Sequence, residues 1–368
     1  MNTTNDSGMT EVMNGADGGE LKLLADTCAA LFGGHRDEGA GPWDERLWQA
    51  LEQAGLPLIA VPEAVGGSGG SLEQAAVVLS SAGEHAGRVP LAETALLGGW
   101  LLAEAGLPIP AGPLVAVAGA EADAVRVSRV SGGWQVRGRL SRVGWGRVAA
   151  RVVVLAMADG GEVAVALGPD DVTVDPGSNV AGEPRDDLTV DTVVERAAAA
   201  VVEDGTGVVL RHRAALARVL LIAGAMRRAL DLTIHYATER EQFGRRLSKF
   251  QVIQQQIAEL AAEAAAVRAA ADAALYRCAG DGFPDPGASF AVAAAKVQAA
   301  RGATVATRIA HQVHGAIGFT EEHSLRLATT RLWAWRDEAG SPADWAAGLG
   351  RHVLAGDGQL WNTLTGDR

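Results

Sequence analysis

Cysteine is nearly absent from this chain: there are two in 368 residues, Cys28 and Cys278, far apart in sequence. A secreted fold stapled by disulfides is thereby excluded. Both positions fall in segments of helical pattern, where buried thiols in a reducing compartment are the expectation. Aromatic residues are scarce at 5%, so the core must be built from the small and aliphatic residues that bring hydrophobic content to 48%. That balance favours close-packed helices over aromatic-rich sheets. Basic charge is in deficit, with a formal net charge of −12. Phosphate backbones need a concentrated basic face, so no nucleic-acid partner is expected. Long hydrophobic runs are also lacking. The longest, from about Ala95 to Ala120, is cut by Glu104, Pro108, Pro110 and Pro113, so no membrane span is expected. No basic region followed by an apolar stretch opens the sequence, which leaves no expected signal peptide and makes the cytoplasm the expected location.

The length exceeds what one core usually holds and predicts two or three subdomains. Residues 1–18 are polar and glycine-bearing and are expected to form a disordered tail. Helical periodicity runs over Leu21 to Phe32, Glu45 to Ala54, Ser71 to Ala86 and Ala92 to Ala105, with glycine and proline breaks between. The glycines at 66, 67, 69 and 70 read as a plain loop, because no strand precedes them and no lysine follows. After Pro113 the period changes to two. Residues 124–130, 134–140, 151–156, 162–167, 171–175 and 188–194 alternate apolar and polar side chains between Gly, Asp and Pro, the pattern of short antiparallel strands. From Ala214 the pattern is helical again. The fold class is therefore α+β, with a helical domain over 19–110, a middle antiparallel β domain over 111–204 and a helical bundle over 205–368.

The stretch from His235 to Gln256 carries the most chemistry. A buried helical pattern (Leu216, Val219, Leu220, Ala223, Met226, Leu230, Ile234) leads into it, and Gly244 is a natural stop. Arg240, Arg245 and Arg246 gather at the helix end and the following turn. Two readings stay open: cations complementing a helix dipole, or a guanidinium fork beside Phe243 suited to a pyrophosphate with a ring stacked nearby. His311 and His314 have a spacing that could bind a metal, but nothing nearby completes a ligand set, and hydrogen-bonding roles are expected instead. No serine sits in a Gly-x-Ser-x-Gly elbow. Trp333, Trp335, Trp345 and Trp361 crowd the C-terminal region, for subunit packing or for lining an acyl pocket.

Tyr236-Ala-x-x-Arg240-x-x-Phe243-Gly244 followed by Phe250-Gln251, the later Gln312-Val-His-Gly315-Ala-Ile-Gly318-Phe319, and the segment from Leu51 to Gly69 together resemble the acyl-CoA dehydrogenases. The resemblance spans nearly the whole chain and implies the same helical, β, helical order. It implies FAD as cofactor, an acyl-CoA thioester as substrate, an α,β double bond as product and an electron-transfer flavoprotein as acceptor. In that family a glutamate removes the α proton, and the weak acidity of that proton demands a well-placed base. The family's positions for that glutamate fall here on Ala339 or Trp345, or on Ala214 in the alternative location. Glu338 and Asp344 each sit one residue away, and one residue turns a helical side chain by about 100°. The motifs that hold the flavin ring are also missing: residues 113–123 lack Thr-Glu-Pro, and Arg142-Val-Gly-Trp145-Gly stands where a tryptophan-hydroxyl motif is usual.

Present instead are the positions that in this family reach a neighbouring subunit's cofactor. They are Arg240, Gln242, Phe243, Phe250, Gln312, Gly315, Ala316 and Gly318, with Ala316 replacing a usual glycine. Some bacterial family members are α2β2 heterotetramers in which one subunit type supplies the base and ring pocket, several of them acting on sterol side chains. This chain resembles the other subunit type. The expectation is a catalytically incomplete subunit with a homologous partner; the alternatives are a self-sufficient homotetramer using Glu338 or Asp344, or a scaffold of the same fold.

Overall fold

The computed structural model describes residues 16–34, 43–118, 125–158 and 160–355. The expected tail lies outside them as far as residue 15, as do residues 119–124 and Trp361.

The N-terminal region is helical: α1 (Ala16–Gly34), α2 (Glu45–Gln53), α3 (Leu72–Glu84), then a π-helical turn over Glu93–Gly98 that runs into α4 (Gly99–Glu104). The starts are set by local chemistry. Asp44 accepts the Leu47 N–H at 2.9 Å, and Ser71 with Gln74 forms a reciprocal capping box that satisfies two otherwise orphaned donors. Residues 66–70 form the expected loop, in which a Cβ on Gly67 would run into the Val61 carbonyl.

The middle region holds two four-stranded sheets built from β1 (Leu114–Ala118), β2 (Arg126–Val130), β3 (Gly133–Gly144), β4 (Arg151–Ala158), β5 (Gly161–Leu167), β6 (Val172–Asp175), β7 (Arg185–Glu195) and β8 (Ala199–Val201). One sheet has the order β2-β3-β7-β6 and is antiparallel throughout. The other has the order β1-β4-β5-β8, and β1 joins it parallel to β4, with Leu114 opposite Arg151. Val136, Val154, Val165, Leu188 and Val190 lie buried in one cluster contributed by both sheets.

Five α-helices follow among the described residues: α5 (Thr206–Glu239), α6 (Gln251–Gly280), α7 (Pro286–His314), α8 (Leu325–Asp337) and α9 (Pro342–Ala355). α5 is the hub, packing on α3, α6, α7 and α8. Its crossing with α3 is close because Gly224 faces the Ser80 carbonyl and Gly83 faces the Leu221 carbonyl, where any Cβ would collide with backbone. One apolar core therefore runs from the N-terminal helices through α5 into the bundle. Both cysteines are free and buried in it, and burial pushes their thiols up to about 11 for Cys28 and about 12 for Cys278, which leaves them protonated and unreactive. No described helix is long and apolar enough to cross a membrane.

Candidate cofactor-contacting surface and a closed three-domain junction

Glu239 ends α5, and Arg240 takes an extended conformation as its cap. The chain then makes a two-residue hairpin, β9 (Glu241–Gln242) against β10 (Arg245–Arg246), turned at Phe243 and Gly244 with φ of 53° and 77°. Both turn residues are left-handed, the conformation that suits tight hairpins and is uncommon for a bulky side chain. The outcome is a projecting finger. Phe243 is 91% exposed, its ring edge-on to Phe250 at 6.2 Å, and the Arg245 guanidinium lies 4.1 Å over Phe250. Arg240 and Gln242 are exposed, and among the described residues Arg240 makes no ion pair.

The second segment follows α7. Gly315 has φ 63° and ψ −144°, a conformation essentially restricted to glycine, and opens the turn Gly315–Phe319. Gln312, Gly315 and Ala316 are exposed or partly exposed, and Ala316 does not need a left-handed conformation, so its methyl is tolerated by the backbone. Gly318 is buried against His311 and His314, where a Cβ would meet the His314 Cβ at 3.0 Å and His311 Nδ1 at 3.2 Å. The two segments are tied by Tyr236, whose ring stacks on His314 at 4.5 Å. Hairpin and turn thus lie at the adjoining ends of α5 and α7, with exposed cationic, amide and aromatic groups suited to a pyrophosphate and an adenine ring. The described residues contain no His, Cys, Asp and Glu group that could hold a metal.

Glu338 lies elsewhere, at the end of α8. Its carboxylate accepts Arg185 Nε at 2.8 Å, Arg185 Nη2 at 2.7 Å, Arg218 Nε at 2.8 Å and Asn179 Nδ2 at 3.1 Å. Arg218 Nη2 also donates to Glu93 at 2.6 Å, while Glu183 accepts from Arg185 Nη2 at 3.2 Å and Trp335 Nε1 at 3.0 Å and pairs with Arg331 at 3.2 Å. Three carboxylates and three guanidiniums balance in charge, and they come from the π-helical turn, the β region and the C-terminal helices. Burial alone would raise the Glu338 carboxyl, but Arg218 and Arg185 outweigh it and hold it at about 2. A carboxylate so placed is a feeble base. Ala339 follows in a left-handed conformation at φ 58°, its carbonyl accepting Trp345 Nε1 at 2.9 Å.

Asp344 is exposed in the first turn of α9, hydrogen-bonded to the Ser341 hydroxyl at 2.7 Å, which holds its carboxyl below the usual range. Ala214 is a partly buried alanine on α5. Around Trp145 the backbone donors are already engaged inside the β region: Trp145 N–H to the Pro184 carbonyl at 3.1 Å, Arg142 N–H to Asp187 at 2.8 Å and Arg147 N–H to Asp186 at 2.8 Å. Trp145 itself is 2% exposed. The residues at this segment therefore do not fit a flavin ring, whereas the exposed hairpin and turn fit the nucleotide end. Trp335 and Trp345 are buried and Trp333 is 40% exposed under Arg336, so the tryptophans serve internal packing more than a common surface. The polar network around Glu338 was not visible in the sequence, since its members are separated by up to 159 positions in a single contact.

A helical, β, helical chain with these two exposed turns is an acyl-CoA dehydrogenase fold. The models of the acyl-CoA dehydrogenase N-terminal and C-terminal domains match residues 22–108 and 203–336. The chain is 30% identical over 303 residues to the acyl-CoA dehydrogenase FadE27 of Mycobacterium tuberculosis, an alignment covering 76% of this chain and 80% of that protein. A chain of the ChsE4–ChsE5 complex from Mycobacterium tuberculosis superimposes with a TM-score of 0.80 at 24% identity, covering 93% of this chain and 98% of that one. A chain of a variant Tcur3481–Tcur3483 steroid ACAD superimposes with a TM-score of 0.79 at 24% identity, covering 92% of this chain and 99% of that one. This chain belongs to the acyl-CoA dehydrogenase family.

Proposed function

We propose that this chain is the catalytically incomplete subunit of an FAD-dependent acyl-CoA dehydrogenase, assembling as α2β2 with a homologous subunit that supplies the base and the ring pocket. The observation that carries this reading is the state of Glu338: the carboxylate nearest the family's base position is clamped by two arginines and an asparagine. Abstraction of an α proton needs a carboxylate that gains, not loses, by taking a proton. Glu338 would forfeit two charge-assisted contacts on doing so.

The chemistry FAD supplies, when bound, is acceptance of the β-carbon hydride. This chain's contribution is to hold and orient the nucleotide end across the interface. With FAD bound, Arg240 would hold the pyrophosphate, Phe243, backed edge-on by Phe250, would lie against a ring, and Gln312 with the Gly315–Gly318 backbone would supply further polar contacts. The existence of the ChsE4–ChsE5 complex and of a steroid-acting relative supports a heteromer and a sterol-derived acyl-CoA as the substrate class. We assign an electron-transfer flavoprotein as the acceptor on the family resemblance. Co-purification from the native host tests the reading: a second, homologous subunit with FAD and acyl-CoA oxidation in the joint fraction is expected. Activity and flavin in the fraction holding this chain alone would contradict it.

A further inference from the structure

Three imidazoles lie beneath the Gly315–Phe319 turn, and their hydrogen bonds select which nitrogen carries the proton when each ring is neutral. His314 Nδ1 faces the Ala310 carbonyl at 2.7 Å and must donate, which leaves Nε2 as the bare nitrogen, buried and making no well-formed hydrogen bond, with the Leu232 carbonyl near enough to favour a proton only weakly. The Thr329 hydroxyl donates to the Leu325 carbonyl at 3.2 Å, so His311 Nε2 donates to Thr329 at 2.9 Å and its buried Nδ1 is bare. His323 Nδ1 accepts the Leu325 N–H at 3.1 Å. A second proton on any ring therefore lands on a nitrogen that is buried with at most a weak acceptor, or that is already accepting, and a poorly paired buried donor is costly. The rings also touch: His314 lies 4.5 Å from Tyr236 and 4.7 Å from His323, and His311 stacks on Phe319 at 4.0 Å.

We propose that Tyr236, His314 and His323 are positioning residues whose ring stack couples the Arg240–Phe250 hairpin to the Gly315–Phe319 turn, and that the coupling holds only while the imidazoles are neutral. The proposal rests on reading those two segments as cofactor contacts. Tyr236 stands one helical turn before Arg240 on α5, and His314 immediately precedes Gly315, so the stack bridges the two segments directly through side chains. The other groups acting on the stack are Arg228 and His235 on α5 and His311 on α7, which oppose a charge, and the Ala310 and Leu232 carbonyls, which favour one weakly. Burial is the first cause holding His311, His314 and His323 below the usual imidazole range. A histidine depressed in the fold contributes nothing unfavourable above its ordinary pKa of about 6.5 and costs stability as pH falls through that value towards the folded one.

Hydrogen exchange of the isolated chain, corrected for intrinsic rates, should show residues 311–323 protected at about pH 7.5 and losing protection several-fold at about pH 5.5. Protection equal at both values would overturn the proposal without any variant being made. In the FAD-loaded complex, Tyr236→Leu should speed flavin release roughly tenfold at neutral pH, Tyr236→Phe should restore retention, and His314→Gln should flatten the acid-induced release. Retention in Tyr236→Leu equal to the unaltered complex, with Arg240→Ala still weakened, would sink the coupling alone. If Arg240→Ala retains flavin normally while exchange still responds to pH, the coupling stands and the contact role of the hairpin falls.

Discussion

The state of one carboxylate carries the proposal that this chain is not a self-sufficient enzyme. Glu338 lies one position before the place where a base would be sought, and its side chain is 14% exposed. Removing it as Glu338→Ala leaves the three buried guanidiniums of the junction against only two carboxylates, Glu93 and Glu183, and equilibrium unfolding of the chain should show a loss of about 3–5 kcal/mol. The carboxyl is held at about 2 against an ordinary value of 4.5. A depressed acid stabilises the fold above its ordinary value and loses that contribution as pH falls towards the folded one. Acid unfolding of the unaltered chain should therefore steepen between about pH 4.5 and about pH 2, and Glu338→Gln should remove that component. Arg240 presents the opposite case, an exposed cation with no ion pair among the described residues. In the complex, Arg240→Ala should weaken FAD by about 1.5–3 kcal/mol, read as a higher dissociation constant by titration. Glu338 and Arg240 were both visible in the sequence. What could not be seen was the set of partners around Glu338, because Asn179, Arg185 and Arg218 reach it across 120–159 positions.

Among the elements, those with clear periodicity were legible. The alternating runs became β2, β3, β4, β5, β6 and β7 with ends displaced by a few residues, and the Ser71-x-x-Gln74 signature marks the start of α3. β1 gave no such signal: Leu-Val-Ala-Val-Ala at 114–118 is apolar on both faces, the mark of a strand buried beneath the N-terminal helices. The π-helical turn at 93–98 reads as ordinary helix, yet its Glu93 is the N-terminal region's member of the charge network. The hairpin at 241–246 is only two residues deep, too short for any pattern. Lys296 offers a test at this scale. It is wholly buried on α7 and donates to the Trp335 and Arg336 carbonyls at 3.2 and 2.7 Å, closing the end of α8. Burial, then Arg218, lowers its ammonium to about 8 from 10.5. Between those values the unfolded chain binds the extra proton, so stability from this group rises with pH. Chemical denaturation should show the unaltered chain gaining on Lys296→Met from about pH 8 to about pH 10.5.

Across the whole molecule the helical, β, helical order and the family were legible, because three separated motifs occur in order along the chain. The closed junction is a property of the assembled fold. Glu93, Glu183, Arg185, Arg218, Arg331 and Glu338 meet only once the N-terminal helices, the β region and the C-terminal bundle are in place. The cavity of about 520 Å³ beside Arg137, Arg139 and Asp191 opens on β3 and β7, and none of the junction's six charged residues lines it. On the proposed reading, a chain whose own ring segment is internally hydrogen-bonded, and whose exposed turns are assigned to the nucleotide end, should hold flavin only in company. The most direct measurement is the visible absorption spectrum of the chain purified alone and of the chain co-purified with its homologous partner, each assayed for acyl-CoA oxidation. The account predicts a colourless, inactive chain alone and a yellow, active complex that loses both properties when this chain is stripped away. A yellow chain that oxidises an acyl-CoA by itself would contradict it.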